Sequence, residues 1–251
     1  MKILVTGGLG HIGSKLIRQI PVQIKGSHIT IADNLTTQRY FSLYNLKHKS
    51  YSFYNLDISQ ETSQLIEIFK SQDYVVHLAA ITDAASSFEN ADEVERNNFN
   101  STKLVVDLCS KMKIKLILLS STSVYGSQSD VVNEDCNFRD LNPQSPYAVS
   151  KLKEENYAIE MSKINRLNYT IFRFGTIFGT SEGMRFHTAV NKFCWQAVMK
   201  EPLTVWETAL YQKRPYLCLN DAVNSIIYFI KHDLFDGHVY NVLTANLTVE
   251  Q

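Results

Sequence analysis

No stretch of this 251-residue sequence is long and apolar enough to span a bilayer. Neither sign of charge predominates. The 25 lysines and arginines meet 25 aspartates and glutamates, so no net field draws the chain to nucleic acid or an anionic membrane, and no basic stripe runs along it. The four cysteines, Cys109, Cys136, Cys194 and Cys218, lie far apart without metal-ligand spacing. They read as buried reduced thiols, which predicts a cytoplasmic protein. The N-terminus enters a core strand at once, without the charged and apolar segments of a secretory signal. Repeats and low-complexity segments are absent. So are a metal-binding cluster and the Ser/His/Asp arrangement of nucleophilic hydrolysis.

What is present is an alternation of short apolar runs with helical patterns, which predicts βα units on a mostly parallel sheet. The strands read as 3–6, HITIAD ending at Asp33, YSFYNLD ending at Asp57, YVVHLAA ending at Ala80, and KLILLSS. The helix after the first strand places Ile12, Leu16, Ile17 and Ile20 on one face. Further helices are expected over 92–111 and 147–164, with YTIFRFGTIFG strand-like. Beyond Gly179 the pattern changes to aromatics, short strands (LTVW, RPYLCL, HVYNVL) and helical stretches at 190–199 and 222–230, which suggests a smaller lobe. The closing NLTVEQ, a threonine followed by an acid, reads as the start of a helix.

Two motifs carry chemistry. The turn TGGLGHIG sets Gly7, Gly10 and Gly13 between a strand and a helix, an arrangement suited to a tight turn and to pyrophosphate at a helix N-terminus. By itself such a turn can be purely structural. Asp33, at the end of the second strand and 20 residues past Gly13, stands where a carboxylate bonds a ribose diol and repels a 2′-phosphate, favouring NAD over NADP. Asn34, Leu35 and Thr36 follow it as candidates to line the adenosine. Asp57 and Ile58 are placed to meet adenine, but Asp57 serves equally as a cap for the next helix. Leu78, Ala79 and Ala80 end the fourth strand at the sheet's carboxyl edge, as cofactor-facing residues or as core. His77 and His187 read as structural.

The second motif is SPYAVSK. Tyr147 and Lys151 are one helical turn apart and share a face. An ammonium beside a phenol favours the phenolate, turning a group with a free pKa of about 10 into a usable base. A cofactor that takes hydride and a phenol that takes a proton together oxidise an alcohol.

In order and spacing, TGGLGHIG, DNL at 33–35, DI at 57–58, HLAA at 77–80, NNFNST at 97–102, SSTSVYG, PQSPYAVSK and RFGTIFG resemble the extended short-chain dehydrogenases/reductases. The likeness is to the NAD-dependent epimerase/dehydratase group acting on nucleotide sugars, and it covers essentially the whole chain. It implies an α/β fold: a Rossmann-type doubly wound parallel sheet over residues 1–178 binding NAD, and a smaller mixed α/β lobe over 179–251 binding a nucleotide sugar. It also implies roles. Gly7, Gly10, His11, Ile12 and Gly13 would hold pyrophosphate, Asp33 the ribose, and Asp57 with Ile58 the adenine. Leu78, Ala79, Ala80, Asn98 and Phe174 would approach the rest of the cofactor. Tyr147 would be the acid/base, Lys151 would bond the nicotinamide ribose, and Ser121 would hold the reacting sugar hydroxyl. Thr122, Thr176, Asn191 and Arg214 are candidate substrate contacts, with Arg214 a diphosphate ligand or a surface arginine; Met184 and Arg185 are weaker ones. EPLTVWE at 201–207 resembles the segment that packs on the base.

Departures from the family select among reactions. Thr122 and Ser123 stand where the family's 4,6-dehydratases carry an Asp-Glu pair, and Ser123 where its decarboxylases carry Glu. Hydroxyls there suit a 4-epimerase. A dehydratase or net oxidoreductase, and a non-catalytic NAD-sensing regulator, are the alternatives. The family usually continues past the position of Gln251, so the lobe is expected to be shortened. The helices holding 97–109 and 147–161 resemble those that pair across the family's homodimer.

Overall fold

The computed structural model describes residues 1–251 apart from 47, 83–87, 89, 129–130 and 206. Seven strands, β1 (Lys2–Thr6), β2 (His28–Asp33), β3 (Tyr51–Asn55), β4 (Tyr74–His77), β5 (Lys115–Ser121), β6 (Tyr169–Phe174) and β9 (Val239–Val242), form one sheet. Its order is β3-β2-β1-β4-β5-β6-β9, and every pairing is parallel. Strands β7 (Thr176–Phe178), β8 (Arg214–Cys218) and β10 (Ala245–Leu247) form a second, mixed sheet.

Period-2 patterning explains the layers. On β1, Ile3 and Val5 face one side and Leu4 the other; on β5, Ile117 and Leu119 oppose Leu116 and Leu118. Helices α1 (His11–Gln23) and α6 (Leu219–His232) cover the first face through Leu16, Ile17, Ile20, Val223, Ile226 and Ile227. Helices α2 (Ser63–Lys70), α3 (Ala91–Met112) and α4 (Pro146–Asn165) cover the second through Leu65, Phe69, Val105, Cys109 and Ala158. Helix α5 (Ala189–Met199) packs on β7.

The chain runs outward from β1 to β3 and returns to β4 on the other side of β1. The carboxyl ends of β1 and β4 therefore flank a topological switch point, where open α/β sheets bind ligands.

Several elements differ from the sequence expectation. The third strand ends at Asn55, and 203–205 of LTVW is irregular, with 206 outside the described residues. HVYNVL supplies β9 to the large sheet rather than to the small one. At the close of the chain, Asn246 and Leu247 belong to β10. Thr248 and Gln251 then exchange N–H bonds with each other's side chains at 3.0 and 3.2 Å, the reciprocal pattern of a capping box.

A buried bidentate pair locks α4 to β6. Arg173 donates to Glu155 Oε1 at 3.0 Å and Oε2 at 2.6 Å, and to the Tyr125 hydroxyl at 2.9 Å, which itself donates to Asn241 of β9 at 2.8 Å. Burial opposes the Arg173 charge, but the bonds and charge of Glu155 and Tyr125 reverse this and raise it above the ordinary arginine value. Removing one partner strands the other charge. Glu155→Ala is expected to lower unfolding free energy by about 3 kcal/mol, read from urea midpoints.

Candidate active site

Where β1 hands over to α1, Gly7 takes φ +63°, and a Cβ there would lie 2.7 Å from the Ala79 backbone. Only glycine fits both demands. The turn therefore sits directly on the exit of β4, with Leu78 donating its N–H to the Thr6 carbonyl at 3.1 Å. Gly10 is the N-cap of α1 and offers no side-chain cap, and no acid occupies the first turn of His11, Ile12 and Gly13. The amides of that turn are oriented for an anion.

Asp33 braces the turn from β2: Oδ2 accepts from Leu9 N–H at 3.1 Å and Oδ1 from Leu35 N–H at 3.0 Å. Asn34 and Thr36 are exposed beside it, Asn34 Oδ1 accepting from Thr36 N–H at 3.2 Å. The sequence reading passed over Arg39. Burial lowers its guanidinium from the ordinary value, while the charge of Asp33 pulls the other way. The spacing DNLTTQR was the available signal.

Asp57 does not cap α2. Its Oδ1 accepts from Ser59 N–H at 2.9 Å, and Thr62 caps the helix by accepting from Leu65 N–H at 3.1 Å. Ile58 lies in the core beside Ala32 and Leu65. Asn98, on α3, clamps Ile81 from both sides, accepting its N–H at 2.8 Å and donating to its carbonyl at 2.9 Å. It thereby holds the chain leaving Leu78, Ala79 and Ala80.

A second segment closes over the turn from 179–183. His11 Nε2 meets the Gly179 carbonyl at 3.0 Å, Ser181 Oγ donates to the His11 carbonyl at 2.8 Å, and Gly183 N–H donates to Ser14 Oγ at 2.9 Å. A Cβ on Gly183 would stand 2.3 Å from the Leu9 carbonyl, so nothing larger fits. Asn191 is buried behind this segment, accepting from Gly179 N–H at 3.0 Å and donating to the Arg185 carbonyl at 2.8 Å. Arg185 donates to Thr82, and Met184 is half-buried beside it. The pairing of 179–183 with the turn joins residues about 170 apart and left no sequence signal.

At the carboxyl end of β5, Ser121 Oγ accepts from Ser123 twice, from its N–H at 3.2 Å and its hydroxyl at 2.9 Å. Its own hydrogen is left to donate elsewhere. Thr122 donates to the Phe174 carbonyl at 3.3 Å. Tyr147 opens α4, whose start is fixed by Pro146 and by Ser145 accepting from Ala148 N–H at 3.2 Å. Lys151 is buried one turn later with Nζ 6.0 Å from the Tyr147 ring centroid, and donates to Glu154 at 2.9 Å. Phe174 is buried at the end of β6, stacked on Phe172 with centroids 5.7 Å apart. Thr176 and Arg214 are exposed across the small sheet's strands β7 and β8, Arg214 donating to Gln212.

The turn, its uncapped helix end and the Asp33 carboxylate thus lie at the switch point, and the Tyr–Lys helix is linked to β4 there through Lys151, Glu154, Thr102 and His77. They fit the diphosphate, ribose and hydride-accepting ring of a dinucleotide. Burial lowers His11 to about 4, against its bond to Gly179 and with smaller contributions from the charges of Arg185, Arg39 and His187. Burial, with Lys151, lowers His77 to about 3. An unfolded histidine takes its proton near pH 6.5, so acid favours the unfolded chain from there down through 4 and 3. Unfolding free energy is expected to fall by about 2 kcal/mol per histidine between pH 6.5 and 5. His77→Asn should flatten that slope in urea titrations; an unchanged slope in the folded variant would rule out His77 as a source.

A family model described as the NAD dependent epimerase/dehydratase family matches residues 3–242. A dTDP-D-glucose 4,6-dehydratase of Dictyostelium discoideum is 31% identical over 97% of this chain, which spans 58% of that protein's length. An uncharacterized UDP-glucose epimerase of Bacillus subtilis strain 168 is 29% identical over 96% of this chain and 76% of its own. A UDP-glucuronic acid 4-epimerase from Bacillus cereus, solved with UDP-glucuronic acid and NAD, superposes with a TM-score of 0.87 at 27% identity, over 99% of this chain and 80% of its own. No helix among the described residues is long and apolar enough to cross a membrane.

Proposed function

The chain belongs to the NAD dependent epimerase/dehydratase family, and from that premise we propose that it is a nucleotide-sugar 4-epimerase. The observation that carries this reading is the helix placing Tyr147 over buried Lys151, beside a Ser121 whose oxygen is filled by Ser123. In this reading Ser121 donates its free hydrogen to the sugar O4, and the Tyr147 phenolate takes the O4 proton. Bound NAD supplies the hydride acceptance and return at C4 that this proton transfer accompanies, so it is regenerated in each turnover. Lys151 bonds the nicotinamide ribose and keeps a positive charge beside the phenol. Gly7, Gly10, His11, Ile12 and Gly13 hold the diphosphate, and Asp33 the adenosine ribose with Asn34, Leu35 and Thr36 around it. Asp57 with Ile58 flanks the adenine. Leu78, Ala79, Ala80, Asn98 and Phe174 shape the nicotinamide side. Thr122, Thr176 and Arg214 line the sugar-nucleotide side, Arg214 as the diphosphate cation, while Asn191 supports it from behind by holding Gly179 and Arg185.

The dehydratase alternative needs a group that moves protons at C5 and C6. The residues following Ser121 are hydroxyls already engaged, Thr122 with Phe174 and Ser123 with Ser121. That favours epimerisation. We assign cofactor binding chiefly to residues 1–178 and sugar-nucleotide binding chiefly to 179–251, of which α6 and β9 complete the large sheet, with a cytoplasmic location and a homodimer paired through α3 and α4.

Purified protein is expected to interconvert two 4-epimeric sugar nucleotides without added cofactor and without net absorbance change at the reduced-nicotinamide band. Tyr147→Phe should lower turnover by about 10²-fold or more. Full activity in that variant, or one-for-one reduction of nicotinamide with product, would overturn the reading.

A further inference from the structure

Lys151 is buried, and so is the carboxylate it faces. Glu154, one turn further along α4, leaves 1% of its side chain exposed, and Lys151 leaves 6%. Three donors hold that carboxylate: Lys151 Nζ at 2.9 Å and Thr102 Oγ1 at 2.8 Å on Oε2, and Ser150 Oγ at 2.9 Å on Oε1.

Counting hydrogens gives the network a direction. Thr102 has a single hydroxyl hydrogen, and it goes to Glu154. The 3.1 Å contact between Thr102 Oγ1 and His77 Nε2 must then be donated by the ring. That leaves His77 Nδ1 to accept from Thr6 Oγ1 at 2.8 Å. Thr6 in turn accepts from the N–H groups of Leu78 at 3.2 Å and Ala79 at 3.4 Å. The bonds therefore run one way, from the backbone at the floor of the glycine turn through Thr6, His77 and Thr102 to Glu154. The neutral imidazole this needs is the form that burial enforces.

The groups facing Lys151 are Glu154, Tyr147 and Glu155 on its own helix, His77 on β4, and the Thr102 hydroxyl on α3 by way of Glu154. Glu155 is neutralised by Arg173. His77 is uncharged. Glu154 is accordingly the counter-charge that sets how much of the Lys151 charge reaches the phenol.

We propose that Glu154 is a positioning residue for the reaction: its carboxylate, aimed by Thr102 and Ser150, fixes Lys151 and offsets its charge, and so sets the acidity of Tyr147. This rests on Tyr147 and Lys151 being the acid/base pair. An ammonium beside a phenol favours the phenolate, and a carboxylate paired with that ammonium weakens the pull.

The test is a spectrophotometric titration of the tyrosinate band in the purified protein, each form measured against its own Tyr147→Phe counterpart to isolate that phenol. Glu154→Gln keeps the shape and removes the charge. The Tyr147 transition is expected to fall on the order of one pH unit. Glu154→Asp, which keeps the charge on a shorter arm, should lie between parent and Glu154→Gln. The acid limb of turnover should move downward in step. A Tyr147 transition at the parental pH in folded Glu154→Gln overturns the proposal. If that variant does not fold, an unmoved transition in Glu154→Asp does so. The titration needs no substrate, so a failed epimerisation assay and a failed Glu154 assignment are separate results.

Discussion

The site depends on one close approach, that of Gly7 to the backbone at Ala79. It brings the loop that follows β1 onto the exit of β4, across the point where the strand order reverses. A side chain at position 7 would push the two apart. The amide contacts of Leu78 and Ala79 with Thr6 would then open, and with them the start of the buried chain that ends on Glu154. The shape of the glycine turn and the setting of buried Lys151 are thus two consequences of one contact.

Helix α4 divides its buried charges between two neighbours. Glu154 and Glu155 are adjacent in sequence, about 100° apart around the helix axis, and face different partners. Glu155 takes Arg173 and ties the helix to β6, from which Tyr125 and Asn241 extend the connection to β9. Glu154 takes Lys151 and ties it to α3 and β4. Both pairs are shielded from water, so each charge is held by its partner rather than by solvent. The first pair secures the helix on the sheet, and the second fixes Lys151.

Residues 179–183 act as a strap over the same turn. Gly179, Ser181 and Gly183 each meet α1 or the turn, and Arg18 pairs with Glu182 at 3.0 Å. Any motion of the segment carrying Met184 and Arg185 is therefore felt at the N-terminus of α1. The parts that would meet sugar and cofactor are mechanically joined.

The sequence alone was enough for the parallel α/β architecture, the glycine turn between β1 and α1, the place of Asp33 at the end of β2, and Tyr147 and Lys151 one turn apart on α4. These rest on short-range regularities: alternation along strands, helical period, and fixed offsets within one βα unit or one helical turn. HITIAD and KLILLSS match β2 and β5 residue for residue, because a buried strand with turn signals on both sides has little freedom. What only the tertiary structure decided are contacts between distant segments. Asp57 lost the helix cap to Thr62, HVYNVL joined the large sheet, and Asn98 and Asn191 turned to backbone. Glu154 found both Lys151 and Thr102. A side chain's periodicity says which way it faces, but which groups share its desolvated space is set by how the layers pack, and hydrogen-bond and charge partners are chosen there.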